Sequence, residues 1–360
     1  MGRGINIIEF IEQAVKSEAS DIFLIAGMPY SCKINGRILY KGDTKVLPNE
    51  LDIAIEKIYE LAGNRSMDKV KETGDDDFSF SIKGLSRFRV SVMRQRGSLA
   101  AIIRIVRFEL PNYKKLSIPE QVMKISQIKS GLALITGPAG SGKSTTLACL
   151  VDEINRNRNA HVITLEDPIE YLHRHNKGVI TQREIGTDTI DYLSGLRAAL
   201  RQAPDVILLG EMRDYETIKT AMTAAETGHL VISTLHTLGA VNSIDRIIDS
   251  FPPEQQDQIR IQLPMVLRAV VTQQLIERAD GRGVVPAWEI MFIDNAIKNM
   301  IREGSTQQIN GYIKSSSESG MMTMDDNLIK LYKNKLISKE MTIMHSFDND
   351  VMAKKIERLC

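Results

Sequence analysis

Cysteine is scarce in this chain of 360 residues: Cys32, Cys149 and Cys360 are the whole supply, and no two stand in a C-x-x-C pair. An odd, widely spaced set argues against a disulfide framework and against a structural zinc site. The six histidines form no H-E-x-x-H or similar ligand set. Charge of one sign is also lacking. A formal net charge of +1 gives no global pull toward nucleic acid or an anionic membrane. No apolar run approaches the ~18–20 residues of a membrane span. The opening Met1-Gly2-Arg3-Gly4-Ile5-Asn6 lacks the apolar region and cleavage site of a signal peptide. Internal repeats and low-complexity segments are missing as well. Together these absences point to a protein of a reducing cytoplasm. What remains is the composition of a globular protein, 43% hydrophobic, 25% charged and 5% aromatic, at a length that implies two domains.

The pattern along the chain divides accordingly. Ile7, Ile8, Ile11, Ala14 and Val15 recur at helical spacing, and Leu51, Ala54, Ile55, Ile58, Leu61 and Ala62 do the same further on. Strands are expected at Asp21–Ile25, Tyr30–Ile34, Arg37–Tyr40, Asp77–Ile82, Arg87–Met93 and Leu99–Val106, with Asn35-Gly36 turning a hairpin. That makes residues 1–106 a small α+β domain. Residues 107–118 carry proline and charge without a clean period and read as a linker. From 119 to 360 short apolar runs alternate with helices, the mark of an α/β domain on a parallel sheet. Its expected strands are Leu132–Thr136, Val162–Glu166, Asp205–Gly210, His229–His236 and Val284–Phe292. Helices are expected at about 143–156, 189–202, 215–227, 240–249 and 254–275, with Pro264 kinking or splitting the last. The tail beyond Gly320 reads as polar helix.

The stretch Gly137-Pro138-Ala139-Gly140-Ser141-Gly142-Lys143-Ser144-Thr145 fits the pattern G-x-x-x-x-G-K-[ST]. A short apolar run precedes it and a helical pattern follows, which is the strand–loop–helix context the motif needs. Glycines let successive backbone N–H groups turn inward around phosphate oxygens, and the helix adds its positive end. Lys143 then reaches β- and γ-phosphates, and the Ser144 hydroxyl holds Mg²⁺. The nine residues are therefore candidates for binding ATP.

Two acidic clusters close expected strands, Glu166-Asp167 after Val162–Leu165 and Glu211 after Asp205–Gly210. Ligands of an open parallel sheet bind at the carboxyl ends of its strands, so these groups face the same edge as the phosphate loop. A lone acid after a strand is ordinarily a helix cap. Two beside a phosphate loop point to chemistry, one binding Mg²⁺ directly or through water and another orienting or deprotonating the attacking water. His229 and His236 flank one strand. His236, at its carboxyl end, is either a structural hydrogen-bonding group or a γ-phosphate sensor, and His229 is placed with the nucleotide-binding residues. Phosphoryl transfer also calls for arginine from a neighbouring domain or subunit. Arg87, Arg89, Arg94, Arg96 and Arg104 on the strands of the first domain are the candidates. His173 and His175 flank Arg174 in a charged loop and read as solvated or in contact with a neighbour.

The motifs in this order resemble the PilT-type ATPases that drive type IV pilus retraction, within the wider secretion ATPases. The matching segments are Ser20–Leu24 with Gly27, Arg87–Val90, the phosphate loop, Glu166–Tyr171, Asp205–Asp214 (DVILLGEMRD), Thr227–Thr237 (TGHLVISTLHT), Ile244–Pro252 and Ala296–Glu303 (AIKNMIRE). The resemblance implies a PAS-like first domain and a RecA-like P-loop NTPase core, assembled as a homohexamer, with ATP and Mg²⁺ bound. It implies that Glu166 is the catalytic base, Glu211 the carboxylate near Mg²⁺, and Arg89 with Arg104 the γ-phosphate arginines. The implied partners are other copies of the chain, the cytoplasmic face of the pilus platform in the inner membrane, and a paralogous ATPase. Nucleic acid is not among them.

Overall fold

A computed structural model describes residues 6–34, 36–106 and 110–358. Residues 1–5, Asn35 of the hairpin turn, the start of the linker at 107–109, and Leu359 and Cys360 lie outside the described residues. The chain divides into two compact units, Met1–Glu109 with Glu170–Leu172, and Leu110–Ile169 with His173–Cys360.

The first unit opens with α1 (Ile7–Lys16), whose Asn6 cap accepts a hydrogen bond from the Ile8 N–H at 3.1 Å. Then come β1 (Asp21–Leu24), β2 (Ser31–Ile34), β3 (Arg37–Tyr40), α2 (Pro48–Leu61), α3 (Asp68–Thr73), β4 (Asp75–Ile82), β5 (Ser86–Gln95) and β6 (Ser98–Val106). The six strands form one sheet in the order β3-β2-β1-β6-β5-β4, and every neighbouring pair is antiparallel. Ile7, Phe10, Ile11 and Ala14 of α1 share one helical face, and they meet Ile55 and Ile58 of α2 and Phe88, Val90 and Val92 of β5 in a single core. Burial alternates along β5, so Arg87 and Arg89 point away from that core.

The second unit runs α4 (Glu120–Met123), β7 (Gly131–Thr136), α5 (Lys143–Asn157), β8 (His161–Glu166), β9 (Val179–Glu184), α6 (Tyr192–Ala199) and β10 (Val206–Leu209). It continues with α7 (Tyr215–Glu226), β11 (Leu230–Leu235), α8 (Ala240–Asp249), α9 (Pro253–Val266), β12 (Leu267–Glu277) and β13 (Val284–Phe292). Short helices close the chain: α10 (Asn295–Arg302), α11 (Ile309–Ser315), α12 (Met324–Lys333), α13 (Lys339–Met344) and α14 (Asn349–Glu357). Its seven-stranded sheet has the order β13-β12-β7-β11-β10-β8-β9, parallel throughout except for the antiparallel edge pair β12–β13. Every residue of β7, β10 and β11 is buried, because separate apolar clusters cover the two faces of the sheet. No helix among the described residues is long and apolar enough to cross a membrane.

Two of the differences from the sequence expectation bear on the site. The helix expected over 254–275 stops at Val266, and Leu267 already has extended angles. Pro264 has no N–H to continue the ladder, so the helix closes two residues beyond it. The rest of the segment is β12, whose Ala269, Val270 and Val271 are fully buried. The second difference is β9, a strand on the outer edge of the sheet that the sequence reading passes over. It pairs in parallel with β8, setting Thr164 beside Gln182 and Glu166 beside Glu184.

Candidate functional site

Strand β7 delivers the chain into the loop Gly137–Gly142, and α5 starts at Lys143. The glycines are required at both ends of this loop. Gly137 has φ +139°, and a Cβ there would collide with the Gln273 carbonyl of β12. Gly142 has φ +88°, and a Cβ there would come within 2.8 Å of Gln273 Nε2. Gln273 also accepts a 2.8 Å hydrogen bond from the Thr146 hydroxyl, so one side chain of β12 braces the loop and the first turn of α5 together. The sequence hides that brace, because the segment carrying it has helical spacing.

The loop suits an anion. The Ser141 hydroxyl is buried and has no hydrogen-bond partner among the described residues. Lys143 is buried to 9% exposure, and its Nζ donates to the carbonyls of Gly137 and Pro138, each at 2.8 Å. Burial pushes the Lys143 ammonium below its usual range, with nearby Glu211 opposing the shift. A phosphate would offer the ammonium a charged acceptor in place of two neutral carbonyls. Pro138, Ala139 and Gly140 form the exposed rim, Ser144 is exposed at the start of α5, and Thr145 is half-buried behind it.

The acidic residues lie along the same sheet edge. Glu211, 8% exposed, follows β10; its Oε1 is 2.5 Å from Arg213 Nη2 and its Oε2 is 3.4 Å from His236 Nε2. The Glu211 carboxylate holds the Arg213 guanidinium above its usual range. Glu166, the last residue of β8, has a different frame. Its Oε1 accepts from the Thr164 hydroxyl at 2.6 Å and from the Gln182 amide at 3.1 Å. Tyr192 packs over Gly210 between the two carboxylates, and burial followed by the charge of Glu211 drives its phenol pKa upward. Asp167 joins Pro168 through a cis peptide bond.

The structure therefore brings together the loop, Lys143, Glu166, Glu211 and His236, and adds Arg213, Thr164, Gln182, Tyr192 and Gln273. Arg213 stands two positions after Glu211 in DVILLGEMRD, whereas Thr164, Gln182 and Gln273 depend on strand register. His229 does not join the group. It precedes β11 at the opposite edge, a strand length or about 20 Å from His236. There its Nδ1 is 2.9 Å from the Ala224 carbonyl, and its own carbonyl accepts from the Gly131 N–H. It lines a cavity of about 790 Å³ with Lys129, Arg158 and Asp205. His173 reaches the group through its backbone N–H, which donates to Gln182 at 2.8 Å. His175 Nδ1 accepts from the Ile180 N–H, and burial pushes the His173 imidazole down to about 4.

Arg89 and Arg104 belong to the first unit, where they stand directly opposite each other on β5 and β6. Asp21 is the next residue in that cross-strand row, and Arg104 Nε donates to it at 3.0 Å.

A family model described as type II/IV secretion system protein matches residues 5–356. The chain belongs to that family. It is 40% identical over 335 residues to a type IV pilus retractation ATPase, PilT, of Pseudomonas aeruginosa, covering 93% of this chain and 96% of the relative. It is 36% identical to the type IV pilus ATPase PilU of the same organism, over 92% of this chain and 86% of the relative. Among solved structures, the pilus retraction motor PilT with bound ADP superposes with a TM-score of 0.87 at 43% identity, covering 98% of this chain and 99% of that one. The resemblance to PilT-type ATPases seen in the motifs is thus borne out across the chain, as is an α/β fold with an N-terminal domain and an ATPase domain.

Proposed function

We propose that this chain is an ATPase that powers type IV pilus retraction. What supports the reading most is one sheet edge: a phosphate loop, two acidic strand ends and His236 converge there in a chain 40% identical to a PilT over 93% of its length. Lys143 leaves the Gly137 and Pro138 carbonyls to take the β- and γ-phosphate oxygens. Glu166 accepts the proton of the attacking water. His236, beside Glu211, senses the γ-phosphate. Mg²⁺ would supply positive charge that stabilises the phosphate oxygens. The Ser144 hydroxyl and Glu211 would hold it, directly or through water, and two protein ligands suit an ion that keeps most of its coordination for phosphate and water. Arg89 and Arg104 are proposed as the γ-phosphate arginines of an assembled homohexamer.

On this reading the ring works at the cytoplasmic face of the inner membrane, against the pilus platform, and disassembles pilin with no part for nucleic acid. The similarity to PilU favours one second reading, an auxiliary subunit that works with a paralogous ATPase.

The test is steady-state ATP turnover against protein concentration with native mass measured on the same samples, repeated with Lys143→Ala. The wild-type chain should hydrolyse ATP with a specific activity that rises as a hexamer appears. Lys143→Ala should lose at least about 10²-fold in turnover while remaining folded. Full turnover in the variant contradicts the site, and hydrolysis by a monomer contradicts the ring. Turnover that requires a paralogous ATPase supports the auxiliary subunit instead. In cells, loss of the chain should leave pili assembled but unretracted, whereas cells without pili would contradict the direction.

A further inference from the structure

The Gln182 side chain spans two places that matter to the reaction just proposed. Its carbonyl oxygen accepts from the His173 backbone N–H at 2.8 Å, and its amide nitrogen lies 3.1 Å from Glu166 Oε1. The orientation of the amide follows from chemistry. A backbone N–H can only donate, so the carbonyl oxygen of Gln182 must face His173 and the NH₂ group must face Glu166. The Thr164 hydroxyl reaches the same carboxylate oxygen at 2.6 Å. Both donors come from fixed strands, since β8 and β9 pair in parallel with Thr164 beside Gln182 and Glu166 beside Glu184. Two donors converging on one oxygen set the plane of a carboxylate, and a terminal carboxylate torsion is otherwise soft.

We propose that Gln182 is a positioning residue for Glu166, fixing the plane of its carboxylate and tying that plane to the loop that follows β8. This rests on the reading of Glu166 as the group that accepts the proton of the attacking water. The first part of the loop is held by β9 at two points: the Ile169 N–H donates to Glu184 Oε2 at 3.1 Å, and the His173 N–H donates to Gln182. A displacement of the His173 end pulls on the amide and therefore rotates Glu166. The loop and the proton acceptor are in this way linked through one side chain, and Gln182 itself touches no substrate.

The substitution that isolates this role is Gln182→Glu. A carboxylate can still accept from the His173 N–H, so the loop stays tied, but its other oxygen now faces Glu166 without a proton to donate. Two carboxyl groups so placed share a proton and titrate as a pair. The pH profile of ATP turnover should show it. Gln182→Glu should cut kcat about tenfold at pH 7 and move the acid limb of the profile up by at least one pH unit, with partial recovery toward pH 9 and KM for ATP within twofold of wild type. Gln182→Leu, which loses both bonds, should lower kcat without moving the limb upward. ADP binding, measured in the same preparations, should be unchanged in both variants.

A wild-type profile for Gln182→Glu overturns the proposal. So does a pH-independent loss in which kcat and ADP binding fall together, because that is the signature of a packing residue. Glu166→Gln run alongside separates this proposal from the reading beneath it. If Glu166→Gln turns over at the wild-type rate, the assignment of Glu166 fails and the role of Gln182 fails with it. If Glu166→Gln is inactive while Gln182→Glu behaves as wild type, Gln182 alone is misassigned.

Discussion

Two carboxylates close neighbouring strands of one sheet, and different side chains from the adjacent elements reach each of them. Glu211 lies 2.5 Å from the Arg213 guanidinium and 3.4 Å from the ring of His236, and the Lys143 ammonium is near enough to feel its charge. Glu166 accepts from the Thr164 hydroxyl and from the Gln182 amide. A charge-balanced carboxylate beside a phosphate loop is placed to take part in the exchange of ions when nucleotide and metal arrive. A carboxylate whose direction the Thr164 hydroxyl and the Gln182 amide help to fix is placed to meet a water molecule and accept its proton. The lesson is that strand position alone does not distribute roles between two acids, because the neighbours on adjacent strands do.

The comparison can be broken most severely at the carboxylates themselves. Glu166→Gln and Glu211→Gln should each lower ATP turnover by about 10²-fold or more with ADP binding retained, since a general base contributes about 10²–10⁴-fold. A wild-type rate in either variant removes that residue from the chemistry. Arg213→Ala sharpens the contrast on the cationic side. Arg213 is largely exposed, so its pairing with Glu211 is worth little as stability. Turnover should fall only a few-fold and melting should be nearly unchanged. A 10²-fold loss would make Arg213 a reacting partner and not a neighbour. The smallest effect belongs to His229→Ala, at the far edge of the sheet. KM and kcat for ATP should stay within twofold of wild type, and a larger change would mean that this edge communicates with the nucleotide.

Much of this site is legible before any coordinates. The phosphate loop depends on local requirements, glycine at positive φ and a lysine at the start of a helix, and local requirements survive in a string of letters. Glu166 and Glu211 are legible because each ends an apolar run, which fixes the edge they occupy. His236 is legible for the same reason, and its partner across β11 is misplaced only when proximity in sequence is read as proximity in space.

What is not legible depends on register. Leu263, Val266, Leu267, Val270 and Val271 repeat at helical spacing, so the segment through β12 reads as a continuation of α9. A strand buried on both faces shows no alternation to contradict that reading. Val270-Val271-Thr272 after Pro264 is the available signal, a β-branched run behind a helix breaker. Missing β12 also hides Gln273, the brace beneath Gly137, Gly142 and Thr146. Strand β9 is short, polar and at an edge, and nothing in Val179–Glu184 says that Gln182 will lie beside Thr164.

The division of labour between the two carboxylates is tested most directly by titrating Mg²⁺ against residual ATP turnover in Glu166→Gln and Glu211→Gln, side by side with the wild-type chain. Glu211→Gln should need about tenfold more Mg²⁺ for half-maximal rate, while Glu166→Gln should saturate at the wild-type concentration with a depressed plateau. Equal Mg²⁺ requirements in the two variants, or the larger shift in Glu166→Gln, would contradict the assignment.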